Sequence, residues 1–142
     1  MISKKHKKRI GELLIEAGWI TQEQLDQGIN KQKTMHMKIG EIFVNEGWIT
    51  EVQVLQALEF QLGIPYMDLD QYSMDYYFAT FIPEQFAKKY KAVAWGMENE
   101  KLKVAMKDPL DLVALEDISL CTEHEIIPFL ALESSIMKWI CK

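Results

Sequence analysis

The chain has 142 residues, of which 49% are hydrophobic and 26% charged, and its formal net charge at pH 7 is −5. This length suits one domain or two small subdomains, and the apolar fraction is too high for a disordered chain. No apolar run is long enough to span a membrane, and the basic segment Ser3–Arg9 has no apolar stretch behind it, unlike a secretory signal. We therefore expect a cytoplasmic protein without direct membrane insertion. The acidic net charge argues against general DNA or RNA binding.

The charge is unevenly distributed along the chain. Residues 1–38 carry a net charge of +4, whereas residues 39–142 carry −9. Such asymmetry can mark a site for an oppositely charged partner. Taken alone, a solubilising basic tail over residues 1–8 is the simpler interpretation.

An internal repeat organises the first 61 residues. Motif one covers residues 9–32, a five-residue spacer covers 33–37, and motif two covers 38–61. Average residue usage would give roughly one or two identities between two such segments. The two copies are identical at ten of 24 positions: Ile10/Ile39, Gly11/Gly40, Glu12/Glu41, Gly18/Gly47, Trp19/Trp48, Ile20/Ile49, Thr21/Thr50, Gln24/Gln53, Gln27/Gln56 and Gln32/Gln61.

Each motif has the pattern of two consecutive helices. In motif one, Gly18 follows the first apolar face and suits the left-handed residue that ends a helix. Thr21 then begins the second helix, and Gln24 completes a capping box. Thr50 and Gln53 repeat this box in motif two. The repeat therefore predicts two tandem helical hairpins, with a Gly-x-Pro segment ending the fourth helix.

Three features shared by the motifs are not needed by a hydrophobic core. They are a cation at the first position, a glycine two residues later and an amide at the last position: Arg9, Lys38, Gly11, Gly40, Gln32 and Gln61. Glycine would let a ligand approach a helix start, whose free N–H groups favour phosphate. Arginine can stack on a base, and an amide can both donate to and accept from a base edge. These features suggest a ligand with two phosphates and two flat bases. The alternative is a plain pseudo-symmetric helical module whose tryptophans are only core.

The second half of the chain predicts a mixed subdomain. Its expected elements are a short helix or turn over 75–81, a helix over 83–90, alternating strands over 93–97 and 102–106 joined as a hairpin, a helix over 110–120, a strand over 124–130 and a helix over 134–141. Pro128 places the third strand at a sheet edge or a bulge. The predicted fold class is α+β. A subdomain of two tandem helical hairpins (residues 9–62) precedes a small α/β subdomain with about three strands (63–142).

The double motif resembles the MshE-type N-terminal (MshEN) domain of type II secretion and type IV pilus assembly ATPases. Four later segments are also similar to this family: Ile64–Leu69, Ile82–Ala87, Leu102–Met106 and Asp108-Pro109. In this family the tandem motif binds cyclic di-GMP, one motif to each half. The resemblance thus implies a cyclic di-GMP receptor domain that would regulate a secretion or pilus ATPase. It implies no cofactor.

The resemblance also implies a set of ligand-binding residues. These are Arg9, Ile10, Gly11, Leu14, Leu25, Ile29, Gln32, Lys38, Ile39, Gly40, Phe43, Val54, Leu58 and Gln61. Asp108 is an additional candidate, because a carboxylate can accept from a guanine edge, although a strand-ending Asp-Pro turn is the favoured interpretation. The chain departs from the family pattern at Lys38, which replaces arginine, and at Trp19 and Trp48, which replace smaller aliphatic residues.

Two other function classes were weighed against the receptor. A nucleotide-independent docking module would bind an inner-membrane assembly protein of a secretion or pilus system, and an ATPase core could be a partner in cis or in trans. The sequence has no G-x-x-x-x-G-K-[ST] motif and no evident nucleophile–base pair, so we expect neither an enzyme nor catalytic residues. Three scattered histidines and the pair Cys121 and Cys141 give no metal-ligand spacing, so no metal site is expected.

Overall fold

The helices of the first half begin and end where local capping chemistry directs them. A computed structural model describes residues 9–73 and 75–140, and the chain divides into two units between Gly63 and Ile64. The basic tail over residues 1–8 and the predicted end of the last helix at Cys141 lie outside the described residues. Within the described part, no helix has the length and apolar character required to cross a membrane.

The described residues of the first unit form four helices. They are α1 (Ile10–Glu16), α2 (Gln22–Gln32), α3 (Ile39–Asn45) and α4 (Glu51–Leu62). Gly18 and Gly47 both have φ of 78°, which is the left-handed conformation predicted for the residues that end α1 and α3. The Thr21 hydroxyl accepts from the Gln24 N–H at 3.1 Å, and Thr50 and Gln53 make the same contact. Both capping boxes predicted from the sequence are therefore confirmed.

The two repeats of the first unit pack crosswise. Helix α1 packs against α4, and α2 packs against α3, so each contact joins one helix from each repeat. The shared core contains five buried side chains: Leu14, Ile20, Phe43, Ile49 and Ala57. Trp19 and Trp48 are half-buried against this core. Burying these apolar side chains supplies the main driving force for holding such short helices together.

The second unit mixes short helices with strands. Its elements are a 3₁₀ turn (Leu69–Gln71), α5 (Tyr76–Ala79), α6 (Glu84–Tyr90), β1 (Ala92–Glu98), β2 (Lys101–Met106), α7 (Leu112–Thr122), β3 (Ile126–Leu130) and α8 (Glu133–Ile140). Several boundaries differ by one or two residues from the prediction, and two of them show why. Pro83 is the residue before α6 rather than its first helical residue. Helix α7 begins two residues late because the Asp111 carboxylate caps it, accepting from the Ala114 N–H at 3.1 Å.

The three strands form one sheet in the order β1-β2-β3. Strands β1 and β2 are antiparallel, with a shift in register between Ala94 and Gly96, whereas β3 is parallel to β2. Pro128 pairs with Val104 on the edge strand β3, as its lack of an N–H predicts. The α+β class predicted from the sequence is confirmed.

Both faces of the sheet are covered. One face contributes Leu102, Val104 and Met106 to a core that includes residues of α6 and α7. The opposite face contributes Val93 and Ala105 to a second core with Leu69, Ile136 and Trp139. Alternating side chains of the strands thus hold helices on both sides.

Candidate functional site

The two cations that open the motifs lie at equivalent, exposed helix starts. Arg9 and Lys38 are the residues immediately before α1 and α3, and both have extended backbone. At each helix start, the carboxylate of a glutamate in the first turn accepts a hydrogen bond from the N–H of the cation. Glu12 Oε1 accepts from the Arg9 N–H at 3.3 Å, and Glu41 Oε1 accepts from the Lys38 N–H at 3.0 Å.

These carboxylates change the expected role of the helix starts. The sequence analysis assigned the free N–H groups to a phosphate, but a negative side chain already satisfies one of them in each repeat. A phosphate placed there would be repelled by Glu12 or Glu41. The signal was present in the sequence as an identical glutamate at the third helical position of both motifs, the position of a capping-box acceptor.

The structure also corrects the reason for the two early glycines. Gly11 and Gly40 are buried, and each faces the second helix of its own repeat. A Cβ at Gly11 would lie 2.7 Å from Leu25 Cδ1, and a Cβ at Gly40 would lie 3.0 Å from Val54 Cγ1. The glycines therefore permit close helix packing and position the neighbouring apolar side chains.

The closing amide of motif one lies beside the opening cation of motif two. Gln32 Nε2 donates to the Met37 carbonyl oxygen at 3.2 Å, and Met37 immediately precedes Lys38. Gln32 and Lys38 are both exposed. The five-residue spacer thus folds back to form a polar corner between the end of α2 and the start of α3.

An apolar stripe leads along each second helix to its closing amide. In α2 the stripe is Leu25, Ile29 and Gln32, at spacings i, i+4 and i+7, which place the three residues on one helix face. Ile29 is 43% exposed, and Leu25 is half-buried. The equivalent residues of α4 are half-buried: Val54, Leu58 and Gln61. Ile10 and Ile39 are also half-buried and pack against the core of the unit.

Two predicted ligand contacts have no accessible surface. Leu14 and Phe43 are 0% exposed and belong to the core shared by the repeats. Neither side chain has surface that a ligand could touch in this conformation, and their direct contact with a ligand stays a prediction. Both lie beneath the exposed residues, where they fix the packing of the helices.

An ion pair of the first unit joins the two repeats. Lys31, in the last turn of α2, pairs with Glu46 at the end of α3. The internal symmetry places Phe60 and Ala17 at the equivalent positions, and Phe60 is 80% exposed. The unlike residues at these positions of the motifs are the signal in the sequence for this asymmetry.

Asp108 lies in the second unit and takes part in a turn. Its Oδ1 accepts from the Leu110 N–H at 3.1 Å, and its carbonyl oxygen accepts from the Asp111 N–H at 3.2 Å. This is the Asp-Pro turn that the sequence analysis favoured for Asp108. Over residues 9–73 and 75–140, no cluster of three or more His, Cys, Asp or Glu side chains could hold a metal ion.

Two of the shifted pKa values belong to separate structural pairs. The hydrogen bond from the Tyr90 hydroxyl to Asp117 raises the pKa of Tyr90 to about 12. Lys107 lowers the pKa of Glu133 through a contact of 2.8 Å between Nζ and Oε1. Catalytic sites gather shifted groups in one cleft. These two pairs instead join neighbouring elements of the second unit, α6 with α7 and the end of β2 with α8.

Comparison with known proteins identifies the family. The MshEN domain profile matches residues 62–142, which is more than half of the chain. The chain therefore belongs to the MshEN domain family. The match covers the second unit and the last residues of the first unit, so the tandem motif is an observation independent of it.

Two curated relatives are type IV pilus assembly ATPases called PilB. The protein from Thermus thermophilus is 29% identical over 137 residues, and the protein from Myxococcus xanthus is 30% identical over 132 residues. These alignments cover 95% and 93% of this chain. The chain spans only 15% and 23% of the length of the two relatives.

Two solved structures have the same fold. The structure of MshE with cdg matches with a TM-score of 0.84 and 30% identity, covering 94% of this chain and 97% of that one. The N-terminal domain of XpsE matches with a TM-score of 0.67 over 93% of this chain and 91% of its own. Its identity of 21% supports the fold alone.

Proposed function

We propose that this domain binds cyclic di-GMP and regulates a type IV pilus or type II secretion ATPase. The observation that carries the proposal is the surface shared by the two repeats of the first unit. Each repeat presents a cation, an apolar stripe and a closing amide. The likeness to MshE with cdg, an abbreviation of cyclic di-GMP, supports this ligand because it extends over nearly the whole of both chains.

The charges of the surface suit a dianionic dinucleotide. Arg9 and Lys38 supply one exposed cation per phosphate, while Glu12 and Glu41 keep phosphates away from the backbone of the helix starts. The phosphates would therefore contact the side chains of the cations. Arginine offers a planar fork for phosphate or a purine edge, whereas lysine acts as a point charge.

The crosswise packing indicates how the two halves of the ligand would be shared. Because Gln32 lies beside Lys38, the corner that would hold one half combines α2 of motif one with α3 of motif two. Helix α4, which ends near Gln61, packs against α1, which follows Arg9. Each half of the dinucleotide would thus contact helices from both motifs.

The apolar residues take two different roles in this arrangement. The accessible ones would cover the bases and riboses: Ile10, Leu25, Ile29, Ile39, Val54 and Leu58. Leu14 and Phe43 would support them from the core, and Gly11 and Gly40 would set the positions of Leu25 and Val54. Asp108 stays an additional candidate for the ligand, and one oxygen of its carboxylate accepts from the Leu110 N–H within its turn.

The mechanism would be differential binding without a chemical step in this domain. A ligand that contacts α1, α2, α3 and α4 together stabilises the packing in which they meet. The ligand would shift an ATPase between two functional states. The free energy of that shift would equal the difference between the ligand's binding free energies for the two states. We propose that the domain itself is a regulatory part rather than the catalytic part of such an ATPase.

Calorimetric titration with cyclic di-GMP tests the proposal. We expect one site per chain with micromolar or tighter affinity. Arg9→Ala and Gln32→Ala should each weaken binding at least tenfold, about 1.4 kcal/mol. Lys33→Ala and Gln22→Ala are the matched controls. They remove an exposed cation and an exposed amide of the first unit that are not among the predicted ligand-binding residues. They should leave the affinity within about twofold, below 0.5 kcal/mol.

Two outcomes would overturn the proposal at different levels. No heat and no spectral change at high micromolar cyclic di-GMP would remove the receptor function. Unchanged affinity in a variant combining Arg9→Ala with Lys38→Ala would place the ligand elsewhere.

Linear di-GMP and GMP should bind more weakly, because neither engages both repeats in one constrained shape. The crosswise arrangement predicts that Gln32→Ala couples energetically to Lys38→Ala but is additive with Arg9→Ala.

A further inference from the structure

Helix α7 of the second unit leaves an apolar face uncovered. Leu112, Val113 and Leu120 are 75%, 65% and 72% exposed. At 3.6 residues per turn these positions fall within a sector of about 100°, with Glu116 between them. Leu110, just before the helix, adds another exposed apolar side chain. Isolated exposed leucines are ordinary, but several on one helix face form a patch that marks an interaction site.

The inward face of the same helix is already satisfied. Ala114 and Ile118 are buried in the core beneath the sheet. The Tyr90 hydroxyl of α6 donates to Asp117 and fixes α7 from the side. The uncovered leucines are therefore not needed to attach α7 to its own unit.

The charged residues of α7 and the turn before it have one sign. Residues 108–123 contain five acidic residues and no basic one. Asp111 caps α7 and Asp117 accepts from Tyr90, whereas Glu116 and Glu123 are exposed. An apolar face that carries a carboxylate between its leucines is complementary to an apolar surface that carries cations.

We propose that this face, Leu110 to Leu120 on the outward side of α7, docks a basic amphipathic helix of a partner protein. Such a helix would place apolar residues at i, i+3, i+4 and i+7 against the leucines and its lysines or arginines beside Glu116 and Glu123. An anionic lipid surface or a nucleic acid would be repelled by the same carboxylates. A second copy of the chain would bring Glu116 against another acidic patch. The proposal is independent of dinucleotide binding, which involves the other unit.

Methyl NMR spectroscopy of the full chain with two designed peptides tests this docking. The probe is a helical peptide of about 18 residues, long enough for stable helix, with leucines at amphipathic spacing and lysines elsewhere. The control peptide replaces every lysine with glutamate. We expect saturable shifts of the Leu112, Val113 and Leu120 methyl signals with the lysine peptide and none with the glutamate peptide.

Variants of the protein test whether the lysine peptide binds at α7. Leu112→Ser combined with Leu120→Ser should weaken lysine-peptide binding at least tenfold, and Glu116→Lys should weaken it similarly. Phe60→Ser is the matched control, because it removes an equally exposed apolar side chain from the first unit and should bind like the unaltered protein. The altered side chains are exposed, and circular dichroism checks that each variant keeps its helices.

Four results would overturn the proposal. These are equal binding of both peptides, peptide-induced shifts away from α7, binding of anionic phosphatidylserine vesicles through the same leucines, and a concentration-dependent dimer that buries α7. The last two would assign the face to a membrane or to a second copy. Absence of cyclic di-GMP binding would leave all of these readouts unchanged, so the two proposals can fail separately.

Discussion

Replacing Gly28 tests whether the two repeats interlock as the structure shows. Gly28 is buried near the middle of α2, and its Cα faces Phe43 and Ile39 of α3. A Cβ there would lie 2.5 Å from Phe43 Cε1 and 3.2 Å from Ile39 Cδ1. Phe43 is fully buried, so its ring has little room to withdraw. Gly28→Ala should therefore overpack the contact between the repeats.

The expected magnitude is the difference between two opposing effects. Alanine gains about 1 kcal/mol over glycine in a helix interior, whereas overpacking a filled core costs about 1–3 kcal/mol. We expect Gly28→Ala to lower the free energy of unfolding by about 1 kcal/mol net. Helix propensity alone predicts that Gly28→Ala raises the free energy of unfolding. The sign of the measured change therefore distinguishes overpacking from propensity.

The internal symmetry supplies a matched rescue. Gly28 and Phe43 correspond to Ala57 and Leu14, so the copy with alanine on one helix has the smaller leucine on the other. Phe43→Leu should relieve the clash. In the Phe43→Leu background, Gly28→Ala should stabilise the protein by up to about 1 kcal/mol, the helix-propensity gain. The cycle of four proteins should give a coupling energy of about 2 kcal/mol.

Urea unfolding followed by circular dichroism measures these free energies. Hydrogen exchange of amides in α2 and α3 shows whether the loss is local to the first unit, where it should appear first. A stabilising or neutral Gly28→Ala in the unaltered protein would refute the interlock. Equal effects of Gly28→Ala in both backgrounds would show that Phe43 is not the side chain that resists the new methyl group.

Three further substitutions test local features of the two units by the same unfolding assay. Thr21→Ala should cost about 1 kcal/mol because the Gln24 N–H loses its acceptor, and Thr21→Ser should restore most of it. Gly18→Ala should also cost about 1 kcal/mol, since φ is 78° although no atom lies within 4 Å of its Cβ position. Lys107→Met should destabilise at neutral pH, and this loss should shrink in acid. The lowered pKa of Glu133 gives a contribution that is present above the ordinary glutamate pKa and disappears as the pH falls through the lowered value.

Each of these expectations has a clear contrary result. Equal stability of Thr21→Ala and the unaltered protein would show that the capping hydrogen bond is not needed. A stabilising Gly18→Ala would mean that the end of α1 can leave the left-handed conformation without cost. A Lys107→Met effect that is the same at neutral and acid pH would assign the loss to packing of the lysine stem rather than to its contact with Glu133.

The helix boundaries were predictable because their causes are local. Thr21 and Gln24 are three residues apart, and the left-handed Gly18 follows its helix directly, so a short window of sequence contains the whole cause. The alternation along β1 and β2 is likewise local. The position of β3 beside β2 depends on a parallel crossover through α7, and the irregularity at Trp95 depends on the pairing of two strands. Neither is contained in one segment.

The candidate site was only partly predictable for the same reason. The repeat gave the polar and apolar types, but the burial of Leu14 and Phe43 depends on helices distant in sequence. Gly11 was assigned to a ligand because the sequence does not show that Leu25 packs against it.

Helix α7 presents the reverse case. Its sequence is apolar on several sides and suggests a buried helix, yet Leu120 faces outward because one sheet can cover only one side.

The imperfect symmetry of the first unit has a consequence for a symmetric ligand. The repeat would give both halves an equivalent apolar stripe and the same closing amide, but Arg9 would meet its half with a planar fork and Lys38 with a point charge. The Lys31–Glu46 ion pair also links α2 to the end of α3. A cyclic dinucleotide bound as proposed would meet unequal contacts in its two halves. The Arg9 half would contribute more through directed hydrogen bonds, and the Lys38 half would contribute through a corner already ordered by Gln32 and the ion pair.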